Sequence, residues 1–101
     1  MQAEGRDIVK FEYSNGDVYE GTMTNGERCG WGKLTYDDGS VYEGNWVANQ
    51  HDGQGTKDWC DGIVYAGEWK NGLMHGKGKY SMADGTELEG YFEEDEFSHY
   101  L

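Results

Sequence analysis

Tyr19, Tyr42, Tyr65 and Leu88 stand 23 residues apart, and Gly21, Gly44, Gly67 and Gly90 keep the same step. So do Met23, Trp46, Trp69 and Phe92. Three more glycine columns stay in register: Gly16, Gly39, Gly62 and Gly85; Gly30, Gly53 and Gly76; Gly32, Gly55 and Gly78. A chain of such short self-similar units builds an array in which each unit packs on its neighbours. Backward extension sets Phe11 above Leu34 and Tyr13 above Tyr36. The chain therefore divides into an extension over 1–7, a repeat domain over 8–92 and an acidic tail over 93–101. The repeat domain holds a partial unit 8–18, full units 19–41, 42–64 and 65–87, and a partial unit 88–92. The second unit departs from the pattern at Asn49, where Gly is expected, and at Lys57, where an aromatic or Leu is expected.

Within a unit the apolar residues alternate with polar ones, which is the period of a strand. In VYEGTMT, Tyr19, Gly21 and Met23 share one face while Val18, Glu20 and Thr22 share the other. Asp37-Asp38-Gly39, Cys60-Asp61-Gly62 and Ala83-Asp84-Gly85 suit three-residue hairpin links with Gly in the left-handed region. The second link of each unit, around Asn25-Gly26 or Asn71-Gly72, reads as a loop of about six residues. The expected fold is all-β: an elongated, single-layer antiparallel meander of about four hairpin repeats, or about eight strands. At about 4.8 Å per strand it forms a ribbon on the order of 35 Å long. No helix is expected in the repeats. The tail, Glu93 to Leu101, falls off the pattern, with a short helix, a frayed end or a docked segment as its alternatives.

The three-residue link sets Leu34 opposite Tyr42, Gly32 opposite Gly44 and Gly30 opposite Trp46. If the longer link keeps that face, Tyr19 faces Leu34, Gly21 faces Gly32 and Met23 faces Gly30. Seven glycines from Gly21 to Gly90 then floor a trough walled by rings. Two readings of the trough follow. The rings pave the sheet's own face, or the trough receives a segment of another protein. On the second reading the partner-binding residues are Tyr19, Met23, Leu34, Tyr42, Trp46, Tyr65, Trp69, Tyr80 and Phe92. Tyr and Trp are favoured at interfaces.

Composition narrows the function. Only 36% of the 101 residues are hydrophobic, yet 15% are aromatic, 17 are Gly and none is Pro. The net charge of −12 disfavours nucleic acid, whose phosphates need Lys and Arg. It also disfavours direct binding to anionic membrane, and suits a partner with a basic surface or segment. Cys29 and Cys60 have no metal-ligand spacing and read as reduced thiols. His51, His75 and His99 have no nucleophile or metal cluster within reach, because equivalent positions of neighbouring repeats lie about 10 Å apart. Gly30-Trp31-Gly32 and Gly76-Lys77-Gly78 are too isolated to be phosphate loops. No enzyme, cofactor or metal site is expected. The open sheet edges, unguarded by Pro, invite a partner, the C-terminal tail or a second copy, with the N-terminal edge the likelier docking site because glutamates blunt the C-terminal one.

The run Tyr-x-Gly-x-Trp-x-x-Gly-x-x-x-Gly-x-Gly from Tyr65 to Gly78, followed by Ala83-Asp84-Gly85, resembles the MORN (membrane occupation and recognition nexus) repeat. The resemblance covers about residues 8 to 92. It implies a non-catalytic scaffold or adaptor for protein–protein attachment, cytoplasmic, in a cytoskeletal, ciliary or axonemal assembly. Its alternatives are a phospholipid- or membrane-tethering module and a regulatory subunit of an enzyme.

Overall fold

The computed structural model describes residues 8–101; the 1–7 extension lies outside the described residues. Nine strands form one sheet: β1 (Val9–Glu12), β2 (Val18–Thr24), β3 (Glu27–Thr35), β4 (Val41–Val47), β5 (Gln50–Asp58), β6 (Val64–Lys70), β7 (Leu73–Ser81), β8 (Glu87–Glu93) and β9 (Glu96–Tyr100). They lie side by side in chain order, each antiparallel to the next. The molecule measures 42 × 26 × 21 Å. The described residues contain no helix.

The three-residue links behave as the glycine pattern requires. Gly16, Gly39, Gly62 and Gly85 all have φ between 94° and 100°, a region that costs Gly nothing. Leu34 pairs with Tyr42, Gly32 with Gly44 and Gly30 with Trp46. The glycine row runs unbroken from Gly21 through Gly32, Gly44, Gly55, Gly67 and Gly78 to Gly90.

The other link differs from the six-residue loop expected. It is a two-residue turn followed by a bulge of three residues against one. Asn25-Gly26, Ala48-Asn49, Asn71-Gly72 and Glu94-Asp95 all have positive φ at both positions, which is the twist that joins adjacent strands most tightly. The bulge then sets Cys29-Gly30-Trp31 against the single residue Thr22. The same happens opposite Asn45 and Glu68. Met23 consequently pairs with Arg28 and not Gly30, Trp46 with His51, and Trp69 with Met74. Gly30, Gly53 and Gly76 are the positive-φ residues of these bulges, at 68°, 86° and 92°. The residue opposite each bulge lies against its glycine: Thr22 also donates to the Cys29 carbonyl, and Glu68 Oε1 accepts from the Lys77 N–H at 3.0 Å.

The strand beyond the expected eight is β9, built from the tail. Phe97 falls 23 residues after Met74 and pairs with Phe92. Glu94-Asp95 occupies the place of Asn71-Gly72, and Asp95 ties the turn back by accepting the Met74 N–H at 2.8 Å. Repeat glycines at 99 and 101 are replaced by His99 and Leu101. Leu101 is tolerated because the tyrosine column ends in Leu88, which has no ring to lay across the next strand, and His99 because it pairs directly with Tyr91 and has no positive φ to adopt.

The core lies on one face. Tyr19, Tyr42 and Tyr65 are 0% exposed. Each leans along its strand and donates its hydroxyl to a carbonyl three residues on, of Thr22, Asn45 and Glu68, at 2.7 to 2.9 Å. Trp46 and Trp69 each stand edge-on to the tyrosine of their own unit, at 5.0 and 5.1 Å between centroids. Each also meets the tyrosine of the preceding unit, at 5.8 and 5.3 Å. Their indole N–H groups donate to the Gly32 and Gly55 carbonyls, both at 3.0 Å. Edge-to-face pairs add about 0.5–1.5 kcal/mol each beyond burial, so the ladder of rings binds unit to unit without a second layer.

Candidate interaction surface

The trough is filled by its own walls. Of the nine residues expected to meet a partner there, Tyr19, Leu34, Tyr42, Trp46, Tyr65, Trp69 and Phe92 are buried, and Met23 and Tyr80 are half-buried. The sheet curls until its two rims meet over the tyrosine row. Tyr13 Oη accepts from Arg28 at 2.8 Å, and Tyr36 Oη lies 2.8 Å from His51 Nε2. What this face offers to solvent is therefore its rims.

The rim beside the bulges carries Arg28, His51, Met74 and Phe97. This column of 23 lies in the sequence but is chemically mixed, which hid it. His51, beside Asp52, is turned inward by the bulge and stacks flat on Tyr42, 3.7 Å between centroids and 5° between planes. Trp46 and Trp69 stand edge-on to it at 4.8 and 4.9 Å. Its Nδ1 is buried without a hydrogen-bond partner. Burial, followed by the nearby Lys57 and Arg28 cations, pushes the imidazole down to about 3, so it is neutral at neutral pH. Arg28 lies over Trp46, 4.6 Å from the ring centre, and its guanidinium also donates to the Asn49 carbonyl at 3.1 Å.

The opposite rim, at the three-residue links, carries Tyr13, Tyr36, Trp59 and Met82, with Tyr80 beside them, all half-buried. Trp59 and Tyr80 lie 6.3 Å apart. Lys57, the departure from the apolar pattern, bridges this rim. Its ammonium sits 4.4 Å from the Tyr36 ring centre and 5.3 Å from that of Trp59. Desolvation lowers its pKa, opposed by Asp38 and Asp95.

Along the same rim runs a file of link carboxylates, Asp38, Asp61 and Asp84. Each accepts the backbone N–H two residues on, of Ser40, Ile63 and Thr86, at 2.8 to 3.1 Å. Asn15 plays that part in the first link, accepting from Asp17 at 2.9 Å. These bonds fix the side chains, and they hold the Asp38 and Asp84 carboxyls below the usual range. At Asp38 the Ser40 hydroxyl is the main cause, and at Asp84 the Thr86 N–H. The rim is thus an apolar file, Tyr36, Trp59 and Met82, beside a file of oriented negative charges, Asp38, Asp61 and Asp84, one of each per repeat.

The described residues hold no group of three or more His, Cys, Asp or Glu arranged to bind a metal. Cys29 and Cys60 are free thiols. No curated protein matches the chain. The MORN repeat matches it three times in succession, at residues 19–41, 42–64 and 65–87, which is more than half of its length; the chain belongs to the MORN-repeat family.

Proposed function

We propose that the protein is a non-catalytic adaptor whose link rim holds an extended, basic segment of a partner protein. MORN repeats occur generally in proteins that mediate membrane or protein interactions, and the family is typically non-enzymatic. The observation that carries the reading is the half-buried column Tyr36, Trp59 and Met82, with the Tyr80 ring beside Trp59, standing next to Asp38, Asp61 and Asp84 at the period of the repeat. Equivalent carboxylates lie two strands, or about 10 Å, apart, which about three residues of extended chain span. A segment in the polyproline II conformation, with three residues per turn and a rise of about 3.1 Å, presents Lys or Arg at every third position on one face at that spacing, its aliphatic stems lying on the apolar file. A place in a cytoplasmic, cytoskeletal or axonemal assembly accords with such a role, and so does a seat as a regulatory subunit.

The immobilised protein is expected to retain its partners from native extract in a salt-sensitive way. Asp38→Asn, Asp61→Asn and Asp84→Asn together should abolish that retention while the circular dichroism is unchanged. Vesicles containing phosphatidylserine should fail to co-sediment with the protein at physiological salt. Vesicle binding, with partner retention indifferent to the triple variant, would favour the membrane-tethering alternative.

A further inference from the structure

Among the described residues, β1 ends the sheet with all four of its residues exposed. Its hydrogen-bonding phase is fixed by the adjoining link. The Tyr13 N–H donates to the Asp17 carbonyl at 2.9 Å, so the Tyr13 backbone faces β2. By the alternation of an antiparallel ladder, Phe11 and Val9 face β2 as well, and the N–H and C=O groups of Lys10 and Glu12 point to the open edge.

We propose that this edge pairs with its own copy in an isologous dimer, β1 against β1 about a two-fold axis normal to the sheet. The hydrogen-bonding phase admits only registers that pair residues of the same parity. Of those, one sets Lys10 against Lys10 and another Glu12 against Glu12, which like charges oppose. The register centred on Phe11 sets Lys10 against Glu12 twice over. It makes Lys10–Glu12 the hydrogen-bonded pairs and places the two Phe11 rings together on the ring face, each flanked by Val9 opposite Tyr13. Lys10 also ends an alternation on the other face: it is the register partner of Glu20, which pairs with Lys33, which pairs with Glu43. Glu12 of the second copy supplies the acid that continues this series beyond the edge.

The opposite edge lacks such a register, because β9 contains no Lys or Arg. Joining β9 to β1 of another copy would run the strands parallel or turn the ring face over. The proposal does not depend on the link-rim reading, since neither Lys10 nor Glu12 lies on that rim.

So short an interface belongs to the weak class, below about 1,200 Å². Sedimentation velocity of the full chain is expected to show a reversible dimer filling in at about 100 µM and above. Lys10→Glu and Glu12→Lys should each weaken it about tenfold, since each turns both cross-pairs repulsive. Mixing the two variants should restore the dimer, because the doubly acidic edge of one then meets the doubly basic edge of the other at both cross-pairs. Circular dichroism of each variant confirms that the monomer is folded. A monomer at every concentration, or a dimer that neither variant weakens, would overturn the proposal. So would two single variants that each lose the dimer and stay monomeric when mixed.

Discussion

Gly55 lies outside the left-handed region, so its backbone would accept any residue. What excludes a side chain is Tyr42: a Cβ added at Gly55 would stand 2.0 Å from the hydroxyl oxygen and 2.4 Å from Cζ. Gly32 and Gly78 are covered in the same way by Tyr19 and Tyr65. Glycine alternates with aromatics in this chain because each ring needs a bare patch of neighbouring strand to lie on. Gly55→Ala is expected to cost on the order of 3 kcal/mol in urea denaturation, at the upper end of core overpacking. Tyr42→Phe should not rescue it, because Cζ and Cε1 are as obstructive as the oxygen. His51 makes a second residue-scale expectation. Its imidazole titrates near 6.5 when unfolded and about 3 when folded, so between those values the unfolded chain binds the extra proton. Its contribution to stability is complete above about pH 6.5 and is lost as pH falls toward 3. His51→Phe keeps a ring on Tyr42 and gives up the bond to Tyr36. Its melting temperature should therefore fall less than that of the parent between pH 7 and pH 4.5.

At the scale of the element, each hairpin is a unit joined to the next by one strand ladder and the edge-on rings. Deleting residues 42–64 brings Tyr65 after Val41 in the place that Tyr42 held. Trp69 then takes the position of Trp46 against Tyr19, and Tyr36 loses His51 and faces Met74. The shortened chain should keep the circular dichroism of a sheet and unfold cooperatively at a lower denaturant concentration; an unfolded product would show that the units are not interchangeable. The sequence made the strands, the three-residue links and the glycine row legible, because Tyr, Gly and Trp recur there with one chemical role each. It hid the bulge. Asn-Gly signals a two-residue turn, but Ala48-Asn49 and Glu94-Asp95 do not. The extra residues at Gly30, Gly53 and Gly76 also made a tight turn plus a bulge look like one long loop. The error set Met23 opposite Gly30, so the Arg28, His51, Met74 and Phe97 column had no place on the ring face and nothing decided between the two readings of the trough. The ninth strand was obscured for the related reason that His99 and Leu101 replace the glycines that mark a repeat.

At the scale of the molecule, one sheet serves as both framework and core, and its two faces divide the work. The ring face closes on itself and leaves its rims to solvent, while Trp31, Val47 and Tyr91 remain exposed elsewhere. A net charge of −12 is spread over a narrow ribbon, so association with a basic partner should slow as salt rises. Whether the ring face is closed in solution is decided most directly by hydroxyl-radical footprinting of the full chain, read residue by residue. Trp46, Trp69, Tyr19, Tyr42 and Tyr65 are expected to be protected, while Trp31, Tyr91 and Tyr100 are oxidised readily and Trp59 to an intermediate degree. Oxidation of Trp46 and Trp69 as fast as that of Trp31 would mean that the trough stands open and that the glycines serve a partner's side chains instead of the chain's own.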